Sequence, residues 1–255
     1  MNVYLDIETI PAQNPAVLDA IKHDLSSDFK APSGLTKEKA ADDLGIDPDK
    51  AKYISKDSML ARWVERFRDE KLAEVAEERW RKTSFDGALG HVVVIGMAFD
   101  DDAPQTFYTD KPDYEPQILA DAFRLIAESY DSTSDRRPVF IGHYVTEFDL
   151  RFLFQRAVVL GVKPPSIIPF HARPWDDCVF DTMTRWAGLK GSVSLGKLCD
   201  VLGIANKGAE LDGEEIDGSK VWDFVKTGRI SDVAKYCAGD VERARAIYKR
   251  LTFQA

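Results

Sequence analysis

The sequence predicts an α/β protein in which a mixed sheet is flanked by helices and a helical insertion follows the first strand. Three observations carry that expectation. Apolar residues alternate with period 2 near the start of the chain, the mark of a strand. In residues 36–83 they recur instead at helical spacing within a strongly charged stretch. The remaining order is hairpin, helix, strand and then helices, a succession that calls for a sheet covered by helices.

In residues 2–7, Val3, Leu5 and Ile7 share one face of a strand while Tyr4, Asp6 and Glu8 share the other, and Pro11 ends it. Leu60, Trp63, Val64, Phe67, Leu72 and Val75 lie at helical spacing in the insertion, which is placed at approximately residues 33–85. His91–Phe99 reads as a buried strand, the Asp100, Asp101 and Asp102 triplet as a solvated turn, and Gln105–Tyr108 as the partner strand of a hairpin. Residues 116–130 have the spacing of an amphipathic helix. Residues 138–142 form a short apolar strand followed by a helix over about 147–160. Pro164, Pro165, Pro169 and Pro174 mark an irregular connection. Helices are expected at Leu195–Leu202, Val221–Lys226 and residues 231–251, with a Gly-rich loop at 207–218.

The 255 residues, 44% apolar and 30% charged, suffice for one sizeable core, so the expectation is a single domain over residues 1–255. The longest apolar run, residues 92–99, is far shorter than the ~20 residues of a membrane span. Neither a transmembrane helix nor a signal peptide is expected. Cys178, Cys199 and Cys237 are scattered without a C-x-x-C pair, which indicates neither a disulfide framework nor a zinc site and points to a reducing, cytoplasmic setting. A formal charge of −9 argues against broad, nonspecific grip on a duplex. It does not exclude a site where clustered carboxylates bind cations that reverse the local field.

The carboxylates are then the chemistry to weigh. Asp6 and Glu8 project from the same strand face, where two anions repel unless a cation lies between them; a solvent-facing strand end is the plainer reading of so short a pattern. Asp149 falls in the first turn of a helix, where Thr146 and Asp149 also fit a capping box. Asp240 is harder to explain away, because Val233, Cys237, Val241, Ala244 and Ile247 form an apolar stripe and Asp240 falls inside it. Tyr236, one turn earlier, shares its face. An ion pair with Arg243 is the structural alternative, but the helical wheel points Arg243 toward the polar side.

Together these segments resemble the DEDDy exonucleases, and more closely the branch related to the proofreading domain of family-B DNA polymerases. Tyr4-Leu5-Asp6-Ile7-Glu8-Thr9 is similar to the family's first motif, the segment from Ile141 to Leu150 to its second, and Tyr236-Cys237-Ala238-Gly239-Asp240-Val241 to its third. Lys207-Gly208 and Gly218-Ser219-Lys220-Val221 also resemble this branch. The resemblance implies a ribonuclease-H-like fold and two Mg²⁺ or Mn²⁺ ions held by Asp6, Glu8, Asp149 and Asp240. It also implies release of nucleoside monophosphates from a nucleic acid with a free 3′ end, the expected substrate being single-stranded DNA. The sister subclass places a histidine five residues before the last aspartate, where this chain has Lys235, so the tyrosine subclass fits.

Four carboxylates without a cysteine or histidine pair suit Mg²⁺ or Mn²⁺ better than zinc, and two such ions ~4 Å apart can activate water and stabilise a leaving 3′-oxygen. Tyr236, with a reference pKa of ~10, is a poor general base; its expected role is to orient the water. Thr9, Ile10 and Phe148 are candidate contacts to the terminal nucleotide, and Lys207 to a phosphate. Tyr144 replaces the Asn usual after the Gly-His of the second motif, and an aromatic there can stack on a base. His143 reads as a hydrogen-bonded strand-end residue and Cys237 as a small core residue. The rival from another class is a binding or scaffolding module that kept the fold and lost catalysis.

Overall fold

Strand β1 (Asn2–Ile10) lies at the centre of a five-stranded sheet of order β3-β2-β1-β4-β5, in which β2 is His91–Phe99, β3 Gln105–Tyr108, β4 Val139–Gly142 and β5 Val179–Asp181. The β1–β2 and β2–β3 pairs are antiparallel, and the β1–β4 and β4–β5 pairs are parallel. This is the mixed sheet that the sequence predicts. β1 runs three residues farther than expected, up to Pro11, and β5 was not expected, because three residues after a proline-rich connection carry no readable period. The β1–β2 register shifts between Glu8 and Thr9: Glu8 faces Val94 and Thr9 faces Val92, which leaves Val93 as an extra residue. Such a bulge bends and twists a strand locally and re-aims its side chains.

The structure is a computed structural model that describes residues 1–27, 29–133, 137–205, 210–211 and 214–254. It divides into two units, Met1–Pro11 with Thr83–Ala255, and Ala12–Lys82. The second holds helices α1 (Pro15–Ser27), α2 (Lys37–Asp43), α3 (Pro48–Ala51) and α4 (Lys56–Arg81). It starts earlier than the predicted insertion because α1 already belongs to it. Its core is small, gathering Ala40, Ala41, Ala51, Met59 and Trp63. The Trp63 indole donates to Asp43 Oδ2 at 2.9 Å, and Arg68 reaches the Ser26 carbonyl at 2.7 Å, tying α4 to α2 and α1. No helix among the described residues is long and apolar enough to cross a membrane.

In the sheet unit, helices α5 (Glu115–Glu128) and α6 (Asp149–Leu160) cover the face that carries Val3, Leu5 and Ile7. Helices α7 (Thr182–Ala187), α8 (Leu195–Leu202), α9 (Val221–Lys226) and α10 (Ile230–Leu251) follow. α10 packs on the opposite face, where Val241 meets Tyr4 and Ile141, and α9 covers Ile10, Val93 and Val94. Both faces of β1 are therefore covered by helices. α10 comes close because residue 96 is glycine: a Cβ there would sit 2.7 Å from Cys237 Sγ. Glu115, fully buried at the start of α5, joins β2 and α6 by accepting from Val92 N at 2.8 Å and from Arg156 Nη2 at 2.7 Å.

Candidate active site

The parallel partner β4 ends at Gly142, opposite the first half of β1, so the second half of β1 has a free edge on that side. Asp149, the first residue of α6, takes over there: its Oδ1 accepts a hydrogen bond from Ile7 N at 3.0 Å, between Asp6 and Glu8. The capping-box reading of Asp149 is corrected by this geometry. The residue preceding the helix is Phe148, which makes no side-chain cap, and the Thr146 hydroxyl donates to Asp181 Oδ2 at 2.9 Å instead. Glu8 and Asp149 are buried, and Asp6 Oδ2 is sealed from solvent with no hydrogen-bond partner among the described residues.

α10 closes the cluster. Asp240 is buried as the apolar stripe predicts, and Tyr236 is half-buried one turn earlier. The expectation that Arg243 points toward the polar side is overturned: Arg243 is 5% exposed, forms an ion pair with Asp240, and holds its guanidinium 5.6 Å from the Tyr236 ring centroid. A long arginine stem can fold back along the helix so that its head lies one turn from where its Cα points. Cys237 is the buried core residue expected, and its Sγ also lies 3.5 Å from the Asp6 carbonyl oxygen. One ligand atom each from Asp6, Glu8 and Cys237 fall within 4.8 Å of one another.

Burial, and then the charge of Asp149, pushes the Asp6 carboxyl well above the usual carboxylate range. Burial followed by the charges of Asp6 and Asp149 does the same to Glu8. Asp149 is raised to about 8, chiefly by burial, against the opposing hydrogen bond from Ile7. The Tyr236 phenol is pushed up by burial and by Glu8 and Asp6, and so stays protonated at neutral pH. Three carboxyls gathered where Arg243 offsets their repulsion only in part suit a hard divalent ion, which takes oxygen ligands and favours their ionised forms. The residues present therefore fit such an ion, with the orphaned Asp6 Oδ2 as the clearest sign.

The other predicted contacts fare differently. Thr9 Oγ1 donates to the Ser84 carbonyl at 2.7 Å, fastening β1 to the 3-10 helix Lys82–Phe85. Ile10 is withdrawn from any substrate: it is 1% exposed beneath α9, among Val221, Phe224 and Val225. Phe148 packs in tilted contacts between Phe85 and Phe152 at centroid distances of 6.1 and 5.6 Å. Tyr144 is exposed and has the left-handed φ of 65° that asparagine and glycine adopt most easily, while its N–H donates to Asp181 Oδ1. His143 is hydrogen-bonded as expected, to Thr182 Oγ1 and the Val193 carbonyl. Lys207 lies outside the described residues. Sequence reasoning missed Phe85, 70% exposed beside Phe148, and Asp181, a fully buried acceptor for the turn over residues 144–146. Asp181 also caps α7, and its Asp-Thr step after an apolar pair was the one available signal.

Residues 91–254 match a family described as predicted 3′-5′ exonucleases related to the exonuclease domain of PolB. The chain belongs to this family. The match takes in Asp149, Tyr236 and Asp240, and it leaves Asp6, Glu8 and the helical unit outside. No curated protein matches the chain. The mixed five-stranded sheet flanked by helices is that of a ribonuclease-H-like exonuclease domain. Membership supports nuclease activity and a nucleic-acid substrate in general, and exonuclease domains of this kind typically use divalent metals.

Proposed function

We propose that this chain is a divalent-metal-dependent 3′-5′ exonuclease that hydrolyses single-stranded DNA to nucleoside 5′-monophosphates. The observation that supports this most is the buried cluster of Asp6, Glu8 and Asp149, whose carboxyls are pushed upward chiefly by burial, with repulsion from Asp149 on Asp6 and from Asp6 and Asp149 on Glu8 that Arg243 offsets only in part. An arrangement so costly to the apo protein makes physical sense where a cation is to be bound. In this reading Asp6, Glu8, Asp149 and Asp240 hold two Mg²⁺ or Mn²⁺ ions, Asp240 exchanging Arg243 for a cation. Divalent ions bound there supply charge that acidifies water and stabilises the leaving 3′-oxygen. Tyr236, kept protonated, orients the attacking water through its hydroxyl, and Phe85 with Phe148 offers an aromatic surface for the terminal base. Thr9 positions that surface by its bond to Ser84. The same proposal takes residues 1–255 as one exonuclease domain with Ala12–Lys82 inserted in it, and the free cysteines fit a reducing, cytoplasmic setting.

One observation favours a second reading, a catalytically inactive nucleic-acid-binding module: Arg243 already neutralises Asp240. Oligonucleotides of DNA and RNA labelled at either end, incubated with Mg²⁺, Mn²⁺ or EDTA, decide between them. The expected result is stepwise loss from the 3′ end with metal alone. Degradation sustained in excess chelator, or mononucleotides released from the 5′ end, would refute the proposal. Strand binding without any cleavage would favour the module.

A further inference from the structure

Beside the first turn of α6 opens a groove of about 1150 Å³, walled by the turn over residues 144–147, by α6, and by the segments 170–175 and 188–192. Its charge runs against that of the chain. Arg151, Arg173 and Lys190 line it with a single carboxylate, Glu147, in a protein of formal charge −9. All three cations are exposed, and Arg173 and Lys190 are on segments distinct from α6. A groove of opposite sign to the rest of the surface has charge complementary to a polyanion.

Aromatic rings are interleaved with these cations. Tyr144 and Trp175 line the groove with 44% and 55% of their surface exposed. The Arg173 guanidinium lies 5.8 Å from the Trp175 ring centroid. Tyr144 is displayed there by a left-handed backbone that is unfavourable for a bulky residue and is pinned by Asp181. Cations alternating with open aromatic faces match a single strand, which offers a phosphate and an unstacked base at each nucleotide. A duplex hides its base faces and would leave both rings in water. The groove is lined by Thr146 and Glu147, two to three residues before Asp149, so it opens beside the turn from which α6 carries Asp149 into the carboxylate cluster.

We infer that this groove is the track for a single-stranded nucleic acid upstream of its terminal nucleotide, with Arg173 and Lys190 on phosphates and Tyr144 and Trp175 stacked on bases. The inference rests on the exonuclease reading above for the polarity of the strand, but not for its binding. The test is therefore made without turnover, as fluorescence anisotropy of a labelled long oligothymidylate in EDTA at several salt concentrations. Arg173→Ala combined with Lys190→Ala should flatten the log–log salt dependence by about 1.4, ~0.7 for each phosphate of a single strand that is no longer neutralised. Trp175→Ala should weaken binding about 5- to 150-fold. Lys226→Ala, an exposed lysine elsewhere, should change neither quantity. Unlabelled duplex should compete poorly.

Wild-type affinity and salt slope in both groove variants, or displacement by duplex as effective as by single strand, would overturn the track. Failure of the chain to cleave while the slope still flattens would sink the exonuclease reading and leave the track standing. The mutated side chains are exposed, and a thermal melt equal to wild type verifies that each variant is folded.

Discussion

Two groups of buried carboxylates in the sheet unit are treated in opposite ways. Glu115 has both oxygens occupied: Oε1 accepts from Val92 N and Arg156 Nε, each at 2.8 Å, and Oε2 meets Arg156 Nη2 at 2.7 Å and His91 Nδ1 at 2.9 Å. Burial alone would raise its pKa, but the hydrogen bonds from His91 and Arg156 outweigh it and hold Glu115 below the usual range. Glu8 and Asp149 are buried as well and Asp6 Oδ2 is sealed from solvent, yet burial pushes all three up, aided by Asp149 on Asp6, by Asp6 and Asp149 on Glu8 and by Asp181 on Asp149, and Asp6 Oδ2 has nothing to accept from among the described residues. The first arrangement fixes elements in place. The second keeps a charge deficit that a bound cation would cancel. A buried carboxylate therefore marks chemistry by what is missing around it.

The largest effect should come from breaking the deficient cluster. Asp6→Ala should lower cleavage by more than ~10⁴-fold, beyond the ~10² to 10⁴ typical of a lost acid-base group, and added Mn²⁺ should not restore it. Single-turnover rates would measure this; near-wild-type cleavage would remove Asp6 from the metal set. Breaking the compensated pair should instead strike the fold. Arg156→Met leaves Glu115 charged without its partner, which typically costs about 3–5 kcal/mol, read by denaturant unfolding. A loss under about 1 kcal/mol would mean that His91 and Val92 suffice.

Tyr236→Phe sharpens the comparison from within the site. Its ring and its stacking with Arg243 remain while one positioning hydrogen bond goes, so the rate should fall by about 10²-fold and not to zero. A rate equal to wild type would return Tyr236 to a packing role. Asp240 belongs partly to both groups, since it lies in the site but has a cation. In the metal-free protein Asp240→Asn should therefore lower the melting temperature, because Arg243 keeps its charge and loses its partner. Asp6→Asn should leave it equal or higher.

What could be read in the sequence followed periodicity. The alternation in β1 put Asp6 and Glu8 on one face, and the stripe of α10 put Asp240 inside, because a Cα position on a regular element fixes a side chain's initial direction. Directions alone did not place long or tertiary partners. Arg243 folds back from its wheel position, and Thr146 bonds Asp181, which lies 35 residues away on a strand too short to recognise. Ile10 shares the face of Glu8 by alternation, but α9 lies over it, and nothing local announces that cover. Phe85 ends a four-residue 3-10 helix too short to show a period, and the Thr9–Ser84 bond and the ring contact with Phe148 bring it to the site.

The smallest and most diagnostic difference is one of pH. Asp149 has a folded pKa of about 8, above its unfolded value of ~3.9. Between those values the folded state holds a proton that the unfolded state has lost, so stability falls as pH rises through this window and levels off above about 8. Glu115 has the opposite sign: its folded pKa is depressed, so its contribution is present above ~4.3 and is lost as pH falls through the folded value. Melts in EDTA should thus decline from mildly acidic to mildly alkaline pH. Asp149→Asn should flatten part of that decline while its amide oxygen still accepts from Ile7 N. Saturating Mg²⁺ should flatten it as well, because an ion that holds the carboxylates ionised favours the folded state more as pH rises. A decline identical in wild type and Asp149→Asn would locate the titration elsewhere. A decline untouched by Mg²⁺ or Mn²⁺ would show that the deficit is not filled by a cation, and the distinction between the two carboxylate groups would then be one of packing alone.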